Sequence, residues 1–161
     1  MINRFSPADR KVRDANTKHI YKTIDPDTYA VCTVHQGLWH KTDKGSHYEA
    51  GDKIIYEDLC AKFRRRLSKT VYGNRYTKSK KLIPMAGTLE GDGKREHYHI
   101  NFFVKRPEWL SDPYFHYLFL NCWYSYDWAH KHPKYAVEYK ARTADCVGYG
   151  NKQGSETLLV F

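Results

Sequence analysis

Between residues 97 and 104, side chains of different character alternate along the chain, which predicts a β-strand with two unlike faces. One face would carry His97, His99, Asn101 and Phe103, and the other Tyr98, Ile100, Phe102 and Val104. An extended run over residues 82–90 comes before it, and Gly93-Lys94 suits a tight two-residue hairpin loop. Pairing about that loop would set Glu90 opposite His97 on the exposed face of an antiparallel pair.

Two segments carry apolar residues at the spacing of a helix that packs on a core. The first, residues 54–69, has the stripe Tyr56, Leu59, Cys60, Phe63 and Leu67. The second opens with a capping residue and an early proline at Ser111-Asp112-Pro113. Its stripe is Phe115, Leu118, Phe119, Cys122, Trp123 and Tyr126. Both helices need a sheet to cover.

Further strands are expected at residues 29–39, 135–141 and 157–161. The order βαββαβ predicts an α+β fold, a central antiparallel sheet with a ferredoxin-like or RRM-like core. Both helices would cover one face of the sheet, and the histidines would lie on the other. The remaining segments are an irregular basic arm at residues 1–27, a polar loop at residues 40–51 and a basic loop at residues 70–81.

The chain has 161 residues, of which 41% are hydrophobic, enough for one domain, expected at residues 28–161. No stretch approaches the roughly 20 apolar residues that span a bilayer, and residues 1–22 contain no apolar secretory signal. The four cysteines (Cys32, Cys60, Cys122 and Cys146) form no CxxC pair, which argues against a zinc knuckle and for reduced thiols. We therefore expect an intracellular protein.

The chain carries 27 Lys and Arg against 18 Asp and Glu, a net charge of +9. Such a charge favours nucleic acid as a partner, and no sustained basic amphipathic helix indicates a membrane. Basic residues interleaved with aromatic ones can neutralise phosphates and stack on unpaired bases. The DNA-binding candidates are Arg64, Arg65, Arg75, Tyr76, Lys78, Lys80 and Lys81.

Glu90, His97 and His99 form a candidate three-ligand cation site. A carboxylate with two imidazoles suits a divalent ion, Mn²⁺ or Mg²⁺ before Zn²⁺, and leaves positions for water or a phosphate oxygen. The spacing of His35, His40 and His47 suits no single strand or helix face, so we expect these three to be surface histidines.

A second candidate lies in the segment Asp145–Gly154, where Tyr149 and Lys152 would share one face of a short helix. Gly148 and Gly150 flank the tyrosine, although each costs about 1 kcal/mol relative to alanine inside a helix. Glycine on both sides of a polar aromatic residue suits a place where another backbone, such as DNA, approaches closely.

A glutamate before HxH, followed about fifty residues later by YxxK and a glycine, resembles the HUH endonucleases, specifically the single-tyrosine initiators of rolling-circle replication. Tyr29-Ala30-Val31-Cys32-Thr33-Val34 is similar to the first motif of that family, Glu90 with His97-Tyr98-His99 to the metal motif, and Tyr149-Gly150-Asn151-Lys152 to the nucleophile motif. The tyrosine follows the histidines, as in the initiators, whereas it precedes them in relaxases. The resemblance covers about residues 28–155.

The resemblance implies a plasmid or viral Rep protein that nicks and rejoins single-stranded DNA at an origin stem-loop through a covalent 5′-phosphotyrosine link. Tyr149 would attack a metal-bound phosphodiester, and Lys152 would assist it. Tyr135 and Tyr139, four residues apart, resemble the tyrosine pair of other initiators. A helicase or host replication proteins are the expected partners, in the bacterial cytoplasm or in a eukaryotic host nucleus.

Three other functions agree with these residues. A non-catalytic module that binds single-stranded nucleic acid would explain the charge and the aromatic residues without the metal motif. An HUH transposase would share HxH and a later tyrosine, and a hydrolytic metallonuclease would leave no DNA on the protein. The origin sequence, the host, the oligomeric state and the role of Lys152 are open at this point.

Overall fold

The computed structural model describes residues 7–91, 97–142, 147 and 158–161. Its helices are α1 (Pro7–Thr23), α2 (Lys53–Tyr72), α3 (Asn74–Ser79) and α4 (Asp112–Trp123), with a 3₁₀ turn at Pro133–Tyr135. Its strands are β1 (Thr28–Thr33), β2 (Gly37–Thr42), β3 (Gly45–Ala50), β4 (Met85–Glu90), β5 (His99–Val104), β6 (Glu138–Lys140) and β7 (Leu158–Leu159). The fold is α+β, as predicted.

Five strands form one antiparallel sheet in the order β6-β1-β5-β4-β7, and β2 and β3 form a separate hairpin. β5 is central, because β1 pairs with one of its edges and β4 with the other. Helix α2 lies between β1 and β4 in the chain, and α4 lies between β5 and β6.

Both predicted helices pack on the same face of the sheet, as expected. Ile100, Phe102 and Val104 of β5 point into one core with the buried stripes of α2 and α4. Phe63 of α2 contacts Phe102 at 5.2 Å and Trp123 at 5.3 Å between ring centroids. The side chain of Asp52 caps α2 by accepting a hydrogen bond from the Ile55 amide at 2.8 Å.

The opposite face of the sheet is also covered, which the sequence did not predict. Ile20 of α1 is fully buried there with Tyr29, Phe103 and Val147. The expectation of an irregular arm is therefore wrong for Pro7–Thr23, which form α1. The helix was missed because its apolar stripe is sparse, although Ser6-Pro7-Ala8-Asp9 carries a helix-start pattern of a capping residue followed by proline.

Two predicted loops contain regular structure. Residues 40–51, expected as a polar loop, belong to the β2–β3 hairpin, which turns through Asp43-Lys44 and a positive φ at Gly45. Most of the expected basic loop at residues 70–81 is helical: α2 continues to Tyr72, and α3 follows. Gly73, at φ +54°, separates these helices, a conformation that glycine adopts without steric cost.

Several strands are shorter than predicted. β1 ends at Thr33, and Trp39 belongs to β2. Tyr135 lies in the 3₁₀ turn, so only Glu138–Lys140 of the predicted strand at 135–141 is extended. The buried cysteines Cys32, Cys60 and Cys122 are free thiols. No helix in the described ranges is long and apolar enough to cross a membrane.

We expect Ile20→Ala to lower the free energy of unfolding by about 2–5 kcal/mol, because it leaves a cavity between α1 and the sheet. Urea denaturation followed by circular dichroism measures this loss. The neighbouring Tyr21, which is 42% exposed, provides the control, since Tyr21→Ala should cost no more than about 0.5 kcal/mol. Equal, small losses for both variants would mean that α1 is not docked.

Candidate functional site

The register of the β4–β5 hairpin differs from the predicted one. Glu90 pairs with His99, so the expectation that Glu90 faces His97 is wrong. β5 begins at His99, and the predicted two-residue loop at Gly93-Lys94 lies outside the described residues. The predicted and the observed register differ by two residues. Either register leaves every side chain on the same face of its strand, so the alternation in the sequence could not distinguish them.

Glu90, His99 and Thr33 form a row across β4, β5 and β1 on the face opposite α2 and α4. The cross-strand partners of His99 are Glu90 on one side and Thr33 on the other. The Thr33 hydroxyl lies 3.1 Å from Nδ1 of His99, which fixes the orientation of the imidazole. Directly opposed side chains have Cβ atoms about 5 Å apart, so the Glu90 carboxylate and the His99 ring are neighbours.

This face is not the exposed surface that the sequence suggested. Glu90 is 8% exposed and Asn101 is 1% exposed. Asn101 accepts a hydrogen bond from the hydroxyl of Tyr29 at 3.0 Å and donates one to the Thr88 hydroxyl at 3.3 Å. A buried network of hydrogen bonds therefore supports the row from one side and limits its movement.

His97 lies among other aromatic side chains. Its ring centroid is 4.9 Å from that of His130 and 4.6 Å from that of Tyr135. His35 stacks on His130 at 4.4 Å. Within the described part of the chain, the buried Nδ1 of His97 has no hydrogen-bond partner. Tyr98 points the other way, toward Tyr56 and the helix-side core, as predicted.

The sequence reasoning missed His35 and His130 as neighbours of the candidate site. His35 follows Thr33 at the two-residue spacing of β1, and this spacing could have placed it on the same face. No local pattern could have revealed His130, which reaches the site because its amide donates to the carbonyl of Thr33 at 3.0 Å. His35 is half-buried beside His130, whereas His40 and His47 lie exposed on the β2–β3 hairpin, as predicted.

Burial lowers the pKa of His35, and the nearby His97 and Lys131 lower it further. The pKa of His130 is also lowered, first by burial and then by His35, His97 and His132. Both shifts favour the neutral imidazole near pH 7. Neutral rings can stack without charge repulsion, which agrees with the close contact of His35 and His130.

The three predicted ligands are only partly brought together. Glu90 and His99 are cross-strand neighbours, while His97 contacts His130 and Tyr135. Among residues 7–91, 97–142, 147 and 158–161, no three His, Cys, Asp or Glu side chains are grouped so that they could hold a metal ion. The three-ligand site therefore stays a prediction.

Tyr149 and Lys152 lie outside the described residues. The nearest described residue in the chain is Val147, which is fully buried against Tyr29 and Phe103. These partners lie on the same face of the sheet as Glu90 and His99. Phe103 and His99 are four residues apart in β5, so their side chains point to the same side. Val147, the described residue of the predicted nucleophile segment, therefore packs on the predicted face.

Tyr135 and Tyr139 have different surroundings. Tyr135 lies beside His97 and His130. Tyr139 is on the helix side, where it stacks on His116 at 4.0 Å and donates to the Asp112 carboxylate at 3.2 Å. Burial raises the pKa of Tyr139, and Asp112 raises it further. Tyr139 is therefore remote from the row and a weak candidate for a nucleophile.

Most of the predicted DNA-binding residues are on the surface at the end of α2 and in α3. Arg65, Arg75, Lys78, Lys80 and Lys81 are exposed, and Tyr76 is half-buried. The side chain of Arg64, another predicted DNA-binding residue, forms hydrogen bonds within the fold instead. Its half-buried guanidinium donates to the carbonyls of Ile83 at 2.7 Å and Phe161 at 3.2 Å, so its donors already stabilise the fold.

Comparison of the chain with models of protein families, with curated proteins and with solved structures finds no match. The site must therefore be interpreted from its own geometry.

We expect Gly91→Ala to disturb the candidate site, because Gly91 directly follows Glu90 at the end of β4. Gly91 has φ +102°, and a Cβ there would lie 2.8 Å from the carbonyl oxygen of His97. The backbone penalty alone is about 1–2 kcal/mol, and the contact would push His97 away from Glu90. Urea denaturation should show this loss of stability.

Gly45→Ala is the matched control for Gly91→Ala. Gly45 also has a positive φ, but a Cβ there meets nothing within 4 Å. It should show the backbone penalty without a change in the imidazole resonances of His97 and His99 in NMR spectra. Equal effects of both variants on these resonances would contradict the steric role of Gly91.

Proposed function

We propose that this protein is a rolling-circle replication initiator of the HUH endonuclease type, which nicks and rejoins single-stranded DNA through a covalent 5′-phosphotyrosine intermediate. The proposal rests on one observation. Glu90 and His99 are cross-strand neighbours on the sheet face on which Val147 also packs. Two predicted ligands and Val147, which precedes Tyr149 by two residues in the chain, lie on one side of the sheet, and this supports the proposal.

The topology supports the finer fold assignment, a ferredoxin-like βαββαβ core. Without the β2–β3 hairpin and α3, the chain runs β1, α2, β4, β5, α4, β6. The corresponding sheet order is β6-β1-β5-β4, with β7 added beside β4. Both crossover helices lie on one face, which leaves the other face of the central strands for chemistry.

Chain connectivity supports Tyr149 as the nucleophile. Tyr149 follows Val147, which is buried on this face of the sheet, by two residues in the chain. In the proposed step the Tyr149 oxygen, having lost its proton, bonds to phosphorus while the bond to the 3′ oxygen breaks. The leaving oxygen takes up a proton and becomes a 3′-hydroxyl, and reversal of the step rejoins the strand.

Lys152 would stabilise the negative charge that develops on the phosphate. A divalent ion, Mn²⁺ or Mg²⁺, would withdraw charge from the non-bridging oxygens of that phosphate when bound. Glu90 and His99 would hold it, since they are cross-strand neighbours of suitable donor chemistry. His97 would join them only if its ring turned away from His130 and Tyr135.

We expect Tyr149→Phe to abolish the covalent product. The wild type, incubated with labelled single-stranded oligonucleotides and Mn²⁺, should give a slower band on a denaturing gel that EDTA prevents. Loss of the attacking oxygen should reduce this band at least about a thousandfold. Tyr139→Phe should retain the band, because Tyr139 is occupied on the helix side.

Other outcomes of this experiment distinguish the alternatives. A band that persists in Tyr149→Phe and disappears in Tyr135→Phe would move the nucleophile to Tyr135. Cleaved DNA without attached protein would indicate a hydrolytic nuclease. If the wild type binds many single strands without metal and cleaves none, the protein is a binding module, and the proposed activity is wrong.

We expect Thr33→Val to weaken metal binding by about 10- to 100-fold, the usual effect of removing a hydrogen bond to a metal ligand. The Thr33 hydroxyl lies 3.1 Å from Nδ1 of His99 and orients the ring so that Nε2 would face the ion. The Mn²⁺ concentration that gives half-maximal cleavage measures the effect, and isothermal titration with Mn²⁺ measures it independently of cleavage.

Thr42→Val is the control for Thr33→Val. The Thr42 hydroxyl donates a hydrogen bond to the carbonyl of Gly45 within the exposed β2–β3 hairpin. This variant should bind Mn²⁺ as the wild type does. If Thr33→Val leaves the Mn²⁺ affinity unchanged, the hydrogen bond from Thr33 does not orient His99 for binding the ion.

A further inference from the structure

The positive charge of the chain is concentrated in one segment. Residues 59–89 contain nine Lys and Arg and no Asp or Glu, so this segment alone accounts for the net charge of +9. The rest of the chain has as many acidic as basic residues. Local attraction for a polyanion is therefore greatest around the end of α2 and α3.

A cleft of about 490 Å³ opens in this region, lined by Val71, Tyr72, Arg75 and Trp109. Its volume is within the range of small-ligand sites. Trp109 is 61% exposed, and its ring centroid is 6.5 Å from that of Tyr72 with the planes tilted by 54°. Lys81 covers Tyr72, with Nζ 5.1 Å from the ring centroid.

The backbone around Trp109 is held in place, and the side chain is largely exposed. Leu110 is 6% exposed, and its amide donates to the carbonyl of Pro107 at 3.0 Å. The guanidinium of Arg106 donates to the carbonyl of Leu110. A large aromatic ring is thus presented to solvent from an anchored turn, so little backbone conformational entropy is lost when a ligand stacks on it.

We infer that this cleft binds an unpaired base of single-stranded DNA, with the base stacked on Trp109 and the adjacent phosphates on Arg75 and Lys81. Trp109 and Tyr72 already contact each other, so the base stacks on the open face of Trp109 rather than between the rings. This combination of aromatic and cationic groups is suited to single strands, whose bases expose their faces. The inference rests on the proposed function for its ligand.

The cleft is separate from the candidate cleavage site. His99 begins β5, and the turn with Trp109 follows the other end of that strand. Six residues of β-strand span about 17 Å. A strand bound at both places would therefore contact the protein well beyond the scissile phosphate, and the cleft would add affinity that does not depend on metal.

The test measures binding of a labelled oligothymidylate of about 20 nucleotides in EDTA, beside an abasic strand of the same length. Trp109→Ala should weaken binding to the oligothymidylate at least about fivefold and leave binding to the abasic strand unchanged. Arg75→Gln should weaken binding to both strands. It should also reduce the slope of log affinity against log salt concentration by about 0.7. Trp109→Tyr should restore most of the affinity.

Trp39 provides the matched control. It is 71% exposed on the β2–β3 hairpin, so Trp39→Ala should bind the oligothymidylate as the wild type does. Equal affinity of wild type and Trp109→Ala for the oligothymidylate would overturn the inference, and so would equal losses on both strands. The covalent-band assay on the same wild-type sample reports separately on the proposed activity, so one proposal can fail while the other stands.

Discussion

The position of β5 between β1 and β4 is the constraint on which the rest of the structure depends. Both edges of the strand are hydrogen-bonded, and its two faces are chemically different. Ile100 and Phe102 belong to the helix-side core, while His99 and Asn101 face the other way. A shift by one residue would place Asn101 in the apolar core and Phe102 among polar groups, so the face of each side chain is strongly determined.

A shift of the strand pairing by two residues decides which side chains meet in the candidate site. Such a shift preserves the faces but changes which side chains are opposed. In the structure Glu90 is opposite His99 and His97 extends past β4 toward His130 and Tyr135. The candidate site therefore comprises a rigid part, held by Thr33 and Asn101, and an aromatic part around His97 that has weaker polar constraints.

The basic surface and the candidate site occupy different regions of this protein. The candidate cleavage site is on a largely buried face of the sheet, supported by hydrogen bonds, whereas the basic surface follows the end of α2 and continues through α3. Arg64 illustrates the division, because its guanidinium is used within the fold even though it belongs to the basic segment. Counting charges in a sequence does not separate such an arginine from one whose guanidinium is available to a ligand.

The sequence by itself determined the two core helices, the β4 and β5 strands and the face of each side chain, because those features depend on local periodicity. It did not determine α1, in which Ile20 is the one fully buried side chain among residues 10–23, or the β2–β3 hairpin, which has little core contact. The tertiary structure alone decided the register of Glu90 and His99 and the approach of His35 and His130 to His97. These depend on contacts between residues distant in the chain, for which a local pattern carries no information.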